Sequence, residues 1–236
     1  MVVIAIGPHP DDPEEGAGGT LARIAEAGER VIVVYMTSGG KGIPAKNEEE
    51  AIKIREKEAR AACQILGAEP RFIGLHDGSC FPSESVVKEL QDLFEQEEPK
   101  CVLTCWPLDT HGDHRATGYM VLEAYCRAFG SNFNASMRDP LDLDDPANAA
   151  IMKFPGLFFW ATEQWHQSVQ FQPTVFVNID ATIDMKMELV EAHASQNRGD
   201  SLVKWVEKIA MQLGDQSGGR VRYAEGFISP RPSFLG

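Results

Sequence analysis

The chain has 236 residues, 43% of them hydrophobic and 24% charged, and a formal net charge of −13 at pH 7. These values fit a globular protein with one α/β domain, or a domain with a modest appendage, and the acidic balance argues against a nucleic-acid partner, which would need a basic surface. No apolar run approaches the roughly 20 residues of a membrane helix, and Met1 leads directly into a strand-like run without a basic leader. We therefore predict a cytoplasmic protein with no membrane or nucleic-acid partner, in which Cys101 and Cys105 are buried free thiols.

The first elements form a βαβ unit. An apolar run over 2–6 predicts a buried strand, and the β-branched run over 31–36 predicts a second, parallel strand. Between them lie a polar turn over 7–20 and a helix that starts near Leu21 and stops near Gly28. The turn therefore lies beyond the carboxyl end of a strand, where open α/β sheets carry their sites.

This first turn holds one histidine and two adjacent aspartates, His9, Asp11 and Asp12. Adjacent carboxylates point in different directions, so one can bind a metal while the other stays free as a base. The prolines of the turn stiffen it by fixing φ, and its glycines allow a tight bend and the close approach of other groups. The alternative is a surface turn whose aspartates cap the following helix.

The later elements continue the alternation of strand and helix. In order, the patterns predict a helix over 46–66, a strand over 71–75, a helix from about 83 to 96, a strand over 100–105, a helix near 115–129, strands over 154–160 and 174–179, helices over 181–196 and 201–213, and an extended tail over 226–232. This order predicts an α/β, Rossmann-like three-layer sandwich with a mainly parallel sheet and a C-terminal α+β extension. We expect a single domain, with its core over 1–129 and an extension over 130–236 that completes the pocket. The aperiodic stretch over 130–150 is expected to be an irregular insertion or a mobile loop, such as a lid.

A second polar turn, Asp109-Thr110-His111-Gly112-Asp113-His114, follows the strand over 100–105. Because both turns follow parallel strands, they meet at one edge of the sheet. A candidate ligand set is His9, Asp12 and His114, which leaves positions open for water and substrate; zinc accepts this set, and Fe²⁺ also suits it.

Hydrolysis at such a site needs a base and a donor to the developing oxyanion. Asp11 is the candidate base, His111 the candidate donor, and Asp113 a group that could keep His111 protonated. The alternative for this turn is that one of its histidines caps the following helix.

Other polar residues give weaker signals. The spacing around Arg55 favours a solvated helix charge, and Asp77 stands in an everyday Asp-Gly turn. The loop over 37–42 either lines a pocket or is a plain connection. His166, beside a tryptophan, could contact substrate, although a surface aromatic is the commoner case, and the role of His193 at the end of a helix stays open.

Several of these motifs resemble the signatures of the LmbE-like, PIG-L-type family of zinc-dependent N-acetylglucosamine deacetylases. The first is His9-Pro10-Asp11-Asp12 with the following Glu14 and Gly18-Gly19-Thr20, and the second is the turn over 109–114. Similar stretches occur over 178–196 and 223–227, so the resemblance spans nearly the whole chain in order. One departure is Gly112, which stands where the family usually has proline.

The resemblance implies a zinc hydrolase that cleaves the N-acetyl amide of an N-acetylglucosamine derivative, such as N-acetylglucosaminyl-malate or a chitooligosaccharide. It implies the same metal ligands, His9, Asp12 and His114, and Asp11 as the base. It implies that His111, supported by Asp113, stabilises the oxyanion or protonates the leaving amine, that Arg55 binds substrate, and that Asp77 lies near the sugar. It also implies a homo-oligomer, a trimer or hexamer.

Three other functions compete with this one. A non-haem iron oxygenase could use the same ligands, but such enzymes usually sit on jelly rolls rather than on alternating strands and helices. A nucleotide- or phosphate-binding module could use the glycines over 16–19, although their spacing is not the dinucleotide fingerprint and the turn is acidic. A metal-binding protein without catalysis is the third, and the intact Asp11 argues against it.

Overall fold

The structure is a computed structural model that describes residues 1–136, 155–162 and 167–230, the side chains of 131–136 excepted. The sequence-based expectations for 137–150 and for His166 lie outside these residues. Within them, no helix is long and apolar enough to span a membrane.

Seven strands and six α-helices make up this part of the chain. The strands are β1 Val2–Gly7, β2 Arg30–Thr37, β3 Glu69–Leu75, β4 Cys101–Cys105, β5 Gly156–Trp160, β6 Val175–Asn178 and β7 Ala224–Ile228. The helices are α1 Asp12–Glu26, α2 Glu48–Leu66, α3 Glu84–Glu97, α4 Gly112–Ser136, α5 Ile183–Glu191 and α6 Ser201–Gln216, with a short 3₁₀ turn over Arg198–Asp200 before α6.

All seven strands form one sheet in the order β3-β2-β1-β4-β5-β7-β6. Strands β1 to β5 pair in parallel, and β7 pairs antiparallel with both β5 and β6. The direction of the strand order reverses between β1 and β4, and such a switch point opens a crevice beyond the carboxyl ends of the two strands. Ile6 is in register with Thr104, so the turns that follow β1 and β4 leave the sheet side by side.

Helices cover both faces of the sheet. Val3 and Ala5 of β1 face one apolar core with residues of α1, α2, α5 and α6, whereas Ile4 and Ile6 face a second core with residues of α3 and α4. This alternation along a strand is what a sheet buried on both faces requires. The predicted fold class, a three-layer α/β sandwich with a mainly parallel sheet, is confirmed, and Cys101 and Cys105 are buried free thiols as predicted.

The first helix begins at Asp12 and not near Leu21, so the predicted turn over 7–20 is much shorter in the structure. Pro13 lies in the first turn of α1, where its missing N–H has no intrahelical role. The helix carries glycines because it packs so closely on other elements that there is no room for a Cβ atom at some of these positions. A Cβ atom at Gly16 would lie 2.3 Å from Cδ1 of Trp160, and one at Gly19 would lie 2.8 Å from Cγ2 of Ile179.

Two other helix ends differ from the predictions by five residues or more. Helix α4 continues to Ser136, so residues 130–136 are helical rather than irregular. Helix α5 ends at Glu191 rather than at 196, because the chain turns there: the His193 N–H donates to the Val190 carbonyl and the Gln196 N–H to the His193 carbonyl.

A buried ion pair fixes the middle of α1 to the C-terminal part of the chain. The Glu225 carboxylate of β7 accepts hydrogen bonds from the backbone N–H groups of Gly19 and Thr20, both at 2.8 Å. Lys186 of α5 donates from Nζ to Glu225 Oε1 and, at 2.6 Å, to the carbonyl oxygen of Glu15. Helix α1, which begins at Asp12, is therefore held in place by residues from the other end of the sequence.

Candidate active site

The two polar turns meet at the switch point of the sheet. The ring centroid of His9, after β1, lies 5.2 Å from that of His111 and 5.4 Å from that of His114, and the His111 and His114 rings are 4.6 Å apart. The register of β1 and β4 places these three rings around one point.

Asp12 lies between two of these rings. Its Oδ2 is 3.1 Å from Nδ1 of His9 and accepts the His9 backbone N–H at 2.8 Å, and its Oδ1 is 3.6 Å from Nε2 of His114. Burial raises the pKa of the Asp12 carboxyl, but the His114 and His9 imidazoles outweigh burial and hold this pKa below its ordinary value.

One donor atom from each of His9, Asp12 and His114 lies within 4.8 Å of the other two. Two imidazoles and one ionised carboxylate, converging with a side open to a cavity, are a donor set that fits a divalent ion such as zinc. A second set, His9, His111 and Asp113, meets the same distance limit. His9 belongs to both sets.

Asp11 occupies the N-cap position of α1 without capping it. Its side chain makes no hydrogen bond to the helix N-terminus, so the alternative of a helix-capping aspartate does not describe it. Its backbone has φ of +120°, a conformation that costs a residue with a side chain on the order of 1–3 kcal/mol. In this conformation the carboxylate faces Arg55, with Oδ2 2.8 Å from Nη2. Burial raises the pKa of Asp11, and the charge of Arg55 opposes that rise.

Arg55 is buried, so the expectation of a solvated helix charge was wrong. Only 3% of the residue is exposed, and its guanidinium donates to the Pro10 carbonyl and pairs with Asp11. The loop after β2 makes room for it, because a Cβ atom at Gly39 would lie 2.7 Å from Cδ of Arg55 and one at Gly42 would lie 2.2 Å from Nη1. Spacing along α2 could not show this burial, since the partners come from the turn after β1.

Two carboxylates contact the far side of the His9 ring. Asp113 Oδ2 lies 3.1 Å and Asp77 Oδ1 3.3 Å from Nε2 of His9. Asp113 also accepts the backbone N–H groups of Gly78 at 2.6 Å and Cys80 at 3.0 Å. The expected pairing of Asp113 with His111 therefore differs from what is observed, because the β1 turn brings His9 to the place where this carboxylate points. These contacts raise the pKa of His9 against the opposing effect of burial.

His111 is the most exposed of the three histidines, and its pKa lies below the ordinary value. Burial lowers it first, and the neighbouring His114 and His9 rings lower it further. A neutral imidazole keeps one N–H, so His111 can donate one hydrogen bond to a ligand at neutral pH.

Asp109, which the sequence analysis did not single out, is buried beside His114. Its Oδ1 accepts the His111 N–H at 2.7 Å, and its Oδ2 accepts from Ser168 at 3.0 Å and Thr162 at 3.3 Å. Oδ2 also lies 3.9 Å from Nδ1 of His114. The available sequence signal was an aspartate two residues before His111 in a turn already rich in candidate ligands.

A second buried group lies behind the first turn. His193 is fully buried, with Nε2 3.5 Å from Glu14 Oε2, and the Tyr35 hydroxyl donates to Glu14 Oε1. The structure thus places His193 beside the first turn of α1, next to the segment that carries Asp11 and Asp12.

The site opens into a cavity of about 450 Å³, a size that suits a small molecule. Every sequence-predicted site residue except Asp113 lines it. The described lining residues are His9, Asp11, Asp12, Glu15, Lys41, Gly42, Arg55, Asp77, Gly78, His111, His114, Thr162, Gln167 and Gln196. Lys41 and Gly42 show that the loop over 37–42 lines the pocket rather than only connecting two elements.

Known proteins similar to this chain include deacetylases and hydratases. The PIG-L family model, described as GlcNAc-PI de-N-acetylase, matches residues 4–125. Diacetylchitobiose deacetylase of Thermococcus kodakarensis is 30% identical, covering 95% of this chain and 81% of that protein. A probable N-acetyl-alpha-D-glucosaminyl L-malate deacetylase 2 of Bacillus cereus is 27% identical, over 87% and 94%. The 4-oxalmesaconate hydratase of Pseudomonas putida is 25% identical, over 97% and 89%.

Solved structures give the same picture of the fold. An N,N'-diacetylchitobiose deacetylase from Pyrococcus horikoshii matches with a TM-score of 0.76 and 27% identity, covering 97% of this chain and 83% of that one. A 4-carboxy-2-hydroxymuconate hydratase from Pseudomonas putida matches with a TM-score of 0.82 and 23% identity, covering 99% and 98%, and shows a shared fold.

Proposed function

This chain belongs to the PIG-L family, and from that membership and the geometry of the site we propose that it is a zinc-dependent N-deacetylase. It hydrolyses the N-acetyl amide of an N-acetylglucosamine derivative to acetate and a free amine. The observation that carries this proposal is the convergence of His9, Asp12 and His114 on the wall of the cavity, which Asp11 also lines.

His9, Asp12 and His114 would hold the metal. When bound, zinc supplies a Lewis acid for the amide carbonyl and lowers the pKa of water at the site. Nδ1 of His9 and Nε2 of His114 both face Asp12, and the N–H at Nε2 of His9 can be donated to Asp113 or Asp77. Carboxylates behind ligand histidines fix the ring orientation in this way in known metal sites.

Asp11 acts as the general base. Its carboxylate takes a proton from the water that attacks the acetyl carbonyl carbon, and the charge of Arg55 opposes the rise that burial causes in the pKa of this carboxyl. The strained backbone at Asp11 supports this role, because it directs the carboxylate toward Arg55 and the cavity rather than toward the helix N-terminus.

His111 acts on the carbonyl oxygen of the substrate amide. As the carbonyl oxygen gains negative charge, the His111 N–H donates a hydrogen bond to it. When the carbon–nitrogen bond breaks, the leaving nitrogen takes the proton that Asp11 removed from water, which gives the neutral amine and acetic acid. The acid loses its proton to solvent as acetate, and the neutral His111 keeps its N–H throughout. The partial exposure of His111 to the cavity permits contact with a bound amide.

The cavity favours a neutral sugar conjugate. Among its described lining residues the cations are Lys41 and Arg55, and Arg55 is already paired with Asp11. Carboxylates and amides on the wall, including Asp77, Glu15, Gln167 and Gln196, suit the hydroxyl groups of a sugar. We propose Arg55 and Asp77 as residues near the substrate, and a chitooligosaccharide as a better candidate than the anionic N-acetylglucosaminyl-malate. A homo-oligomer, a cytoplasmic location and a pocket completed by residues 130–236 remain predictions.

The test is primary-amine release from a panel of N-acetylglucosamine conjugates, with zinc-loaded and metal-stripped protein side by side. We expect zinc-dependent release, with the preferred conjugate naming the substrate. The same preparations are offered 4-oxalmesaconate, because a hydratase is among the relatives. Hydration of that compound without amine release would refute the proposed deacetylation and show that the protein is a hydratase.

Asp11→Asn tests the base assignment, with Asp92→Asn on the exposed face of α3 as the matched control. Loss of a general base lowers kcat by about 10²–10⁴-fold, whereas the control should keep wild-type activity. Full activity of Asp11→Asn with zinc still bound would show that another group is the base.

A further inference from the structure

The two candidate ligand histidines have matching surroundings. Each ring turns one nitrogen toward Asp12, Nδ1 in His9 and Nε2 in His114. Each turns its other nitrogen toward a different buried carboxylate. In His9 that nitrogen is 3.1 Å from Asp113 Oδ2, and in His114 it is 3.9 Å from Asp109 Oδ2.

The second nitrogen of His114 lacks a hydrogen-bond partner in the described part of the chain, although it is buried. A buried polar atom without a partner is uncommon and calls for an explanation. The neighbouring carboxylate oxygen would reach hydrogen-bond distance if the ring moved by about 1 Å.

Asp109 has the capacity to accept one more hydrogen bond. An ionised carboxylate offers about two acceptor sites on each oxygen. The His111 N–H occupies one on Oδ1, and the hydroxyls of Ser168 at 3.0 Å and Thr162 at 3.3 Å lie on Oδ2. The Thr162 hydroxyl also lies 3.4 Å from the Ser168 hydroxyl oxygen, so it can turn to that oxygen and leave a site on Oδ2 for His114. The side chain is also inaccessible to solvent, so water does not compete for the remaining site.

We infer that Asp109 is a positioning residue that accepts the Nδ1–H of His114 and so directs Nε2 toward the metal. The inference rests on the proposed metal site. It assigns each of the two histidines its own carboxylate, Asp113 for His9 and Asp109 for His114, and it ties the metal ligand to the segment that carries Thr162 and Ser168.

Two variants distinguish this positioning role of Asp109 from a purely structural role. Asp109 also holds the second turn together through the His111 N–H. Asp109→Asn keeps an oxygen for that N–H, and the hydroxyls of Thr162 and Ser168 can turn to accept from its amide. The amide then presents a donor to Nδ1, which favours the tautomer with the proton on Nε2 and opposes metal binding. Ser168→Ala removes one support of the turn and leaves the carboxylate in place.

The experiment measures the zinc affinity of the full chain by competition with a chromophoric chelator, together with the thermal midpoint of the metal-free protein. We expect Asp109→Asn to lose roughly 10–100-fold in affinity, as for other residues behind a metal ligand, while its metal-free midpoint stays near that of the wild type. Ser168→Ala should keep its affinity within about threefold of the wild type, because the acceptor for the ring remains.

Two results would overturn the inference. One is zinc affinity of Asp109→Asn equal to that of the wild type. The other is a parallel loss of affinity and of metal-free stability in Asp109→Asn and Ser168→Ala, which is the pattern of a turn support. If Asp109→Asn fails to fold, ¹H–¹⁵N spectra of the zinc-loaded wild type decide: a slowly exchanging proton on Nδ1 of His114, absent in His114→Ala, supports the inference, and an unprotonated Nδ1 refutes it.

The same measurements separate this inference from the proposed function. A wild type that binds zinc and releases amine, beside an Asp109→Asn variant that does both equally well, removes only the role of Asp109. A wild type that binds no zinc removes the metal site and this inference together.

Discussion

Arg55→Met is the substitution with the sharpest consequences, because it leaves a buried carboxylate without its cation. The Arg55 and Asp11 side chains are 4% and 14% exposed, and their charged atoms are 2.8 Å apart. Removing one partner of a buried pair costs about 3–5 kcal/mol. Since Asp11 is slightly exposed and can take up a proton, we expect about 3 kcal/mol, which lowers the thermal midpoint of a chain of this size by about 6–12 °C.

The same substitution should shift the pH dependence of the reaction. Burial raises the pKa of Asp11 and Arg55 lowers it, so without Arg55 the pKa rises further. A base must be ionised to act, and therefore the acidic limb of kcat/KM should move to higher pH by about 1–3 units. The folded protein then binds a proton that the unfolded chain has released, so the stability deficit of the variant is smallest at acid pH and grows as the pH rises.

Three controls make this prediction refutable. Lys57→Met removes an exposed cation from the same helix and should change neither the limb nor the midpoint. Arg55→Lys restores the charge and should return part of the shift. Asp11→Asn combined with Arg55→Met removes both charges and should be more stable than Arg55→Met alone. An unmoved acidic limb in Arg55→Met would show that Asp11 is not the titrating base, and a double variant as unstable as the single one would show that the pair is not coupled.

Three further predictions concern helix α1 and the metal. Gly16→Ala should lower the free energy of unfolding by about 1–3 kcal/mol, because its Cβ would meet Trp160 at 2.3 Å. Gly18→Ala, whose nearest contact is Lys186 at 3.4 Å, should raise it by about 0.5–1 kcal/mol. Urea denaturation measures both, and equal changes in the two variants would contradict the close packing of Gly16 on Trp160. Lys186→Met should cost about 3–5 kcal/mol, and less when combined with Glu225→Gln; a double variant no better than the single one in the same assay counts against the ion pair. Zinc at about 100 times its Kd should add about 2.7 kcal/mol of stability that a chelator removes, as seen in thermal melts, and a melt that ignores the chelator would argue against a zinc site.

Much of this architecture could be predicted from local pattern because buried parallel strands are short, β-branched and apolar. The runs at 31–36 and 100–105 stand out for that reason, and strand–helix alternation then places both polar turns at one sheet edge. The pattern does not show the start of α1 because three glycines hide the helical periodicity. Gly16 and Gly19 pack closely against Trp160 and Ile179, which lie far away in the sequence.

The pairing of charged groups within the site was less predictable. Which histidine faces Asp113 depends on where the turn after β1 comes to rest, and no spacing within the turn over 109–114 records it. Spacing alone favours a solvated Arg55 because its own helix is highly charged, whereas its partner Asp11 lies on another element. The burial of Asp109 cannot be predicted from its own turn, because two of its hydrogen-bond donors, Thr162 and Ser168, come from the segment after β5.

The contact between Glu225 and α1 also affects when the first turn can fold during synthesis of the chain. Gly19 and Glu225 are 206 positions apart, and a chain synthesised from its N-terminus exposes α1 long before β7 exists. Contacts across so large a separation form late in folding, since the loop entropy must be overcome first. The turn with His9 and Asp12 is thus secured only when β7 joins the sheet, and a nascent chain on the ribosome should not bind a metal ion at this turn until β7 has been synthesised.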